Sequence, residues 1–365
     1  GDNVWDFDQG TLLNGYRVRM DNREPIQLFG FADVTLQNGP AAPMGWDTFR
    51  VHPGGGIGIG DLHIEGAGDV LEVIGSGAPN LLSVAPGVSS QGVATSSVLV
   101  PDVYFDGIVT VQLTGLEGDD IFNVTPLSAS VFVDGGDPIG LPGDVLNVTA
   151  TGDAAFAPGP EGDEGGFTFD SAEPVSYDHI EGLTLDLDAV NHYTLDVSGT
   201  NGDDDIKVLG TGPLSYLLSV NASPAIVVTN SGALTIDALH GDDEIDIDVW
   251  DLDLPDLTVT GNNPSVGGDT LTVEGWAGDD AAVWRPTAFD GGSFDVGNQT
   301  ITVQTMERLI YDGRDDAENL TVELPAALAG NMAAFELDTF TFRGSVNVNR
   351  DGQPLLGLEF EDISA

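Results

Sequence analysis

Along most of the chain, β-branched or apolar residues alternate with polar ones in short runs. VTVQLTG (109–115), IFNVTP (121–126), SVFVDG (130–135), DVLNVTATG (144–152), YTLDVSG (193–199), DIKVLG (205–210), EIDIDVW (244–250) and TLTVEG (270–275) all do so. A period of two is the pattern of a half-buried strand, and Gly, Asp, Asn or Pro bounds nearly every run. Helix-friendly sequence is confined to PAALAGNMAAF at 325–335, which predicts one or two helical turns. The chain is expected to be all-β.

The runs recur in order. An aromatic or apolar residue opens each unit, with an acid and a β-branched partner in all but the fourth: Phe31 to Val34, Tyr104 to Ile108, Tyr177 to Ile180, Val303 to Met306 and Phe360 to Ile363. A Gly/Asp turn leading into a strand follows (GWDTFRVHP at 45–53, GDDIFNVTP at 118–126), and then a Gly-Asp-strand element (GDVLEV from Gly68, GDVLNV from Gly143, GDTLTV from Gly268). Constant offsets make this repetition rather than shared composition. Phe31 to Tyr104 and Asp47 to Asp120 share one offset, 73, and Asp69 to Asp144 differs from it by only two. The expected organisation is an N-terminal strand segment, 1–30, that could serve as an assembly arm, then repeat units 31–103, 104–176 and 177–302, the last with an insertion near 206–266. A shortened unit, 303–359, and the start of a further one, 360–365, complete it.

Spacing separates two architectures. Val111 to Val133 is an offset of 22 and Phe122 to Leu146 one of 24, so strands return after one intervening strand. That describes a parallel β-solenoid or β-roll, with Gly/Asp corners stacked on one another. A string of tandem antiparallel β-sandwich domains is the alternative.

Charge changes the picture. Among 365 residues, 60 Asp and Glu face 10 Lys and Arg, giving a formal charge of −50. Such a chain repels phosphates and anionic lipid, which excludes nucleic-acid and membrane-surface binding. Of the acids 44 are Asp and 16 Glu, and 49 Gly and 20 Pro accompany them, which is turn chemistry rather than helix surface. No cysteine is present, so disulfides and thiolate metal sites are excluded. No apolar stretch approaches the 18 or more residues of a spanning helix. Residue 1 is Gly and no signal-like segment follows, so a mature or excised extracellular chain is expected.

The acids are concentrated at turns. Paired aspartates follow Gly at Asp119/Asp120, Asp203/Asp204, Asp242/Asp243, Asp279/Asp280 and Asp315/Asp316. Adjacent like charges in stacked corners repel, and Ca²⁺, which accepts several carboxylate and carbonyl oxygens around a Gly-rich turn, is the expected remedy. A solvated polar turn is the simpler reading. The segments GLEGDDIFNV from Gly115, GTNGDDDIKV from Gly199, and DGGDP from Asp134 with PGDVLNV from Pro142 resemble the hemolysin-type RTX calcium-binding repeat and acidic extracellular β-repeat surface proteins. The resemblance implies Ca²⁺ between stacked turns, with Asp134, Asp137, Asp144 and Asp269 joining the five pairs as ligands. Tandem nonapeptides are absent.

Enzyme chemistry finds no foothold. His52, His63, His179, His192 and His240 form no metal-ligand motif, and no G-x-S-x-G elbow or P-loop occurs. His179 takes a position held elsewhere by Asp33, Asp362 and Thr305, which marks it as structural. Five N-x-S/T sequons begin at Asn123, Asn147, Asn221, Asn298 and Asn319. Trp276 and Trp284 flank Asp279/Asp280 and could line a ledge for a glycan.

The expectation is a non-catalytic, calcium-stabilised structural protein of an extracellular layer, matrix or filament at the cell surface. An adhesin or carbohydrate-binding stalk is the alternative. Residues 351–364 align without gaps to 22–35 at an offset of 329, so the chain stops as another unit begins. Head-to-tail self-association through 1–30 and 335–365 is expected, since heterologous contacts of that kind need not close.

Overall fold

Alternation along each strand puts one row of side chains inside. Leu82 and Val84, Phe122 and Val124, Leu146 and Val148, and Leu183 and Leu185 are all buried, while Ser83, Asn123, Asn147 and Thr184 between them are not. Each buried side chain of this size stabilises the fold by roughly 1.5–3 kcal/mol, and stacking like on like makes the rows continuous. The computed structural model describes the chain outside residues 1–3, 10–15, 21–25, 29–32, 38–46, 53–60, 98–101, 139, 250–253, 265–266, 276–280, 317–318, 325–331, 339–342, 351–352 and 364–365. The described residues are all-β, joined in mixed, mostly parallel sheet. Two compact units divide it: Gly1–Asp153 with Gly159–Asp186, and Ala154–Pro158 with Leu187–Ala365.

In the first unit the strands Leu81–Pro86, Ile121–Val124, Val145–Thr149 and Gly182–Asp186 run parallel, with Leu82 beside Phe122, Phe122 beside Leu146 and Leu146 beside Leu183. A second tier runs through Val4–Gln9, Thr48–Val51, Asp61–Ile74, Val103–Glu117, Ser130–Asp137 and Val175–Asp178. The second unit repeats the plan. Asp205–Gly212, Glu244–Asp248, Thr270–Glu274 and Arg308–Asp316 form one parallel tier. Ala154–Pro158, Thr194–Ser198, Ala233–Asp237, Asp256–Thr260 and Gln299–Gln304 form another.

The returns come in two lengths. The short ones join Thr110 to Ser130, Ile121 to Val145, Leu234 to Leu257 and Glu244 to Thr270, at offsets of 20, 24, 23 and 26 in chain position. The long ones join Leu81 to Ile121, Val145 to Gly182, Asp205 to Glu244 and Thr270 to Arg308, at offsets of 40, 37, 39 and 38. The long returns carry antiparallel excursions: Leu81–Pro86 with Gly92–Ser96, Gly165–Phe169 with Val175–Asp178, Asp205–Gly212 with Ser215–Val220, and Ala281–Ala288 with Gly291–Val296. Such a hairpin lengthens the return without disturbing the register of the strands on either side.

Two expectations shift. The pairing of Phe122 with Leu146 holds, but Val111 pairs with Val131 and Val133 pairs with Leu113, so that return is two residues shorter. Within 325–335, residues 332–335 belong to the strand Met332–Asp338, paired antiparallel with Arg343–Arg350, and are not helical; 325–331 lie outside the described residues. Partner strands outweigh the helix propensity of Met and Ala there.

Candidate functional site: two carboxyl ladders at the strand entrances

Just before each strand of one parallel tier in each unit stands one polar residue. In the first unit these are Asn80, Asp120, Asp144 and Glu181, and in the second Asp204, Asp243, Asp269 and Glu307. In-register pairing of the strands sets these residues one above the next. Each then bonds to its neighbour in the same way.

In the first unit the Asn80 N–H donates to Asp120 Oδ1 at 2.5 Å, the Asp120 N–H to Asp144 Oδ1 at 2.6 Å, and the Asp144 N–H to Glu181 Oε2 at 2.6 Å. The carbonyls return the bond: Asn80 O accepts from Ile121 N–H, Asp120 O from Val145 N–H, and Asp144 O from Gly182 N–H. In the second unit the Asp204 N–H donates to Asp243 Oδ1 at 2.8 Å, Asp243 N–H to Asp269 Oδ1 at 3.0 Å, and Asp269 N–H to Glu307 Oε2 at 2.9 Å. A turn would otherwise leave these amides buried without partners, at a cost of about 1–3 kcal/mol each. The carboxyl at the entrance of the next strand thus carries the sheet's hydrogen bonding into the turn. Asp47 N–H donates likewise to Asp69 Oδ1 at 2.9 Å.

Glycine makes room. A Cβ on Gly115 would overlap both Asp120 Oδ2 and the Gly135 carbonyl oxygen, and one on Gly135 would overlap Asp144 Oδ2 and the His179 carbonyl oxygen. The Gly-Asp corner is therefore required by close packing of the ladder against the backbone.

Burial dominates the electrostatics. Asp120, Asp144, Asp243 and Asp269 are 0% exposed, and in each the Oδ2 atom has no hydrogen-bond partner. Desolvation pushes the Asp120 carboxyl up to about 6, against the Asn80 amide and with help from the charges of Asp144 and Asp119. Asp144 rises to about 6 by burial, with Glu181, Asp119 and Asp134 adding to it, and Asp243 to about 6 by burial, with Asp269, Asp204 and Asp203 adding. Asp269 is raised by the same cause, with Glu307 and Asp242 nearby.

The other candidate ligands have different tasks. Asp119 and Asp203, the first members of their pairs, are not buried. Asp203 Oδ1 accepts the Asp242 N–H at 3.0 Å, while Asp242 accepts from the N–H groups of Gly267 and Gly268 at 2.8 and 3.3 Å. Asp134 pairs with His179 Nδ1 at 2.9 Å, and the Asp137 carbonyl accepts from Gly118 N–H at 2.7 Å. Asp279 and Asp280 lie outside the described residues, as do the side chains of Asp315 and Asp316. Asn80, Glu181 and Glu307 complete the ladders without any Asp-pair signature; their position immediately before a strand is the signal that finds them. The expected aromatic ledge loses one of its two members: Trp284 is 0% exposed and its Nε1–H donates to the Leu356 carbonyl oxygen at 3.2 Å, so it fills the core. Trp276 lies outside the described residues.

A calcium ligand set needs several oxygens converging on one point. Among the described residues no three acidic or histidine side chains converge in that way. Asp120, Asp144 and Asp269 each commit Oδ1 to a backbone amide and bring Oδ2 close to a glycine, whereas Asp243 brings the committed Oδ1 itself close to Gly241. No helix of the described residues is long and apolar enough to cross a membrane. No family model, curated protein or solved structure matches this chain.

Proposed function

We propose that the chain is a non-catalytic, extracellular structural protein, each unit a parallel β-solenoid with antiparallel hairpins let into its longer coils, assembling head to tail into a layer, matrix or filament. The observation that carries this reading is the ladder itself. It ties successive coils together along the stacking direction through side chain and backbone at once, which serves a mechanical element and no reaction. The short returns, at offsets of 20 to 26, support the solenoid, since so little chain accommodates only two strands and two corners.

A formal charge of −50 suits an extracellular setting rich in cations, which gather as a diffuse atmosphere and screen repulsion between neighbouring copies. Assembly uses the 1–30 and 335–365 segments in heterologous contacts that propagate. The test follows light scattering and negative-stain images of the full chain and of a variant lacking residues 1–20, at matched ionic strength. The full chain is expected to elongate and the truncated one to remain monomeric. Equal polymerisation of both would remove the end-to-end model.

A further inference from the structure

One sheet face of the first unit carries no charge. Each strand of the laddered tier turns side chains outward after its rung, and in-register pairing lines the first two into columns: Leu81, Ile121, Val145 and Gly182, then Ser83, Asn123, Asn147 and Thr184. None is an acid or a base. The same two columns in the second unit are Asp205, Glu244, Thr270 and Arg308, then Lys207, Asp246, Thr272 and Ile310. Five of those eight are charged, as befits a solvated face on a chain of net charge −50.

The uncharged face is open to solvent. Leu81 is 40% exposed and Ile121 43%, side by side on paired strands, and Asn123 is exposed as well. Beside this aliphatic column runs an amide column, in which Asn147 Nδ2 donates to Asn123 Oδ1 at 3.0 Å and Asn123 Nδ2 to Ser83 Oγ at 3.4 Å. A side-chain amide has two N–H donors and an oxygen that accepts twice, so these bonds leave capacity for a facing surface.

Charge and side-chain type decide what covers such a face. Copies of a polyanion repel wherever acids oppose acids, and the second unit's columns would bring acids together. On the first unit's face a second copy meets no like charge. Aliphatic side chains pack against aliphatic ones there and amides bond to amides, as between paired identical sheets with stacked asparagines. A sugar platform would offer an aromatic ring, and neither column has one.

We infer that the face bearing Leu81, Ile121, Ser83, Asn123 and Asn147 is a self-association surface, at which two copies of the chain meet about a two-fold axis. This contact is separate from the end-to-end joints of the proposed assembly. Those extend a row of copies, and this one joins rows side by side, the step from a filament to a layer. Four strands span only about 15 Å, so one pair of faces falls short of the roughly 800 Å² per partner of a standard interface. Free copies therefore exchange, and the strengthening of the contact by repetition along joined rows rests on that assembly.

The chain has no cysteine, so a single introduced thiol reports its own neighbours without background. Ile121→Cys, Asn123→Cys and Asn147→Cys are made singly in the full chain, with Thr272→Cys, at the second-unit position matching Asn147, as control. All are oxidised at one high ionic strength, which screens general repulsion between copies. A two-fold axis brings a residue to its own counterpart and a head-to-tail joint does not, so the readout is covalent dimer on a non-reducing gel. At least one first-unit variant is expected to give about fivefold more dimer than the control. Adding Leu81→Glu, or separately Ser83→Glu, should remove that excess, since each would bury an unpaired charge in the contact. The inference is overturned by equal dimer from both units, by none at all three first-unit positions, or by an excess that survives both glutamates. A glycan on Asn123 or Asn147 of the natural chain, read as a mass increment, overturns it too, because it would cover the face. Loss of polymerisation on removing residues 1–20 reads the end-to-end joints alone, so either model can fail while the other stands.

Discussion

The two ladders begin differently, and the difference shows how a leading rung and an inner rung satisfy their side-chain oxygens. In the first unit the leading rung is Asn80, neutral by composition, its side chain held by Ser76. In the second it is Asp204, whose Oδ2 accepts Thr200 N–H at 2.7 Å and whose Oδ1 accepts Thr200 Oγ at 3.0 Å and Asn221 Nδ2 at 2.6 Å. Three donors converge on Asp204, whereas Asp120, Asp144, Asp243 and Asp269 each have an unpartnered Oδ2. The same residue type at the same structural position is therefore fully bonded at one end of a ladder and, within it, buried with an unpartnered oxygen.

The harshest way to break the comparison is to fill the space the glycines leave. Gly135→Val places side-chain atoms on Asp144 Oδ2 and on the His179 carbonyl oxygen, and backbone has no rotamer with which to give way. A loss of more than about 3 kcal/mol is expected, enough to abolish the first unit's unfolding transition in urea while the second unit's transition persists. Gly202→Val in the second unit is the matching control, because only Thr200 Oγ, at 3.7 Å, comes near a Cβ there. Loss of both transitions from the Gly135 variant alone would show that the two ladders do not stabilise their units separately.

One chemical change with opposite outcomes sharpens the comparison further. Asp204→Asn puts an amide NH₂ where donors already converge and leaves at least one of them without an acceptor, at about 1–3 kcal/mol. Asp120→Asn at pH 7.5 removes a buried charge and keeps the Oδ1 acceptor, and is expected to be neutral or stabilising. Chemical denaturation of the two single variants at that pH measures both signs. A destabilised Asp120→Asn would mean that its second oxygen has a partner only a carboxyl can satisfy.

How much of this was legible follows from where the signals lie. Period-two alternation located strands such as Val145–Thr149 and Thr194–Ser198, because each buries one face only. The Asp-pair motif located Asp120, Asp204 and Asp243, and the Gly-Asp-strand motif located Asp69, Asp144 and Asp269; the register shows both motifs to be one structural position. What alternation alone does not contain is the partner of each strand. Ser130–Asp137 alternates equally well one pair of residues out of register, and the corner holding buried Leu127 and Ala129 fixes Val131 beside Val111. Nor does an acidic motif find Asn80, which has no acid, or Glu181 and Glu307, whose longer side chains reach the same amides from a turn of different sequence. The inward or outward direction of each acid depends on its distance from the first strand residue: the second of a pair abuts the strand and is buried, and the first is not. That rule separates Asp120 from Asp119 and Asp204 from Asp203.

The smallest expected effect lies outside the ladders, at the corner the first one passes. The bond to Asp134 raises the pKa of His179 above the ordinary imidazole value, partial burial opposes it, and the charges of Asp178 and Asp163 add to it. The contribution is therefore present below about pH 6.5 and is lost as pH rises through the elevated folded value, the same direction as the ladder carboxyls but at higher pH. Both partners are about one-third exposed, with side-chain exposures of 36% and 35%, so solvent screening holds the pair to under about 1 kcal/mol. His179 has φ of 54°, a left-handed conformation that asparagine tolerates well, so His179→Asn removes the titrating ring with little added backbone strain. Urea denaturation should find this variant less stable than the parent by a few tenths of a kcal/mol near pH 6 and indistinguishable from it near pH 9. Equal destabilisation at both values would assign His179 a packing role rather than an electrostatic one, and would leave the ladder carboxyls as the first unit's principal proton-linked groups.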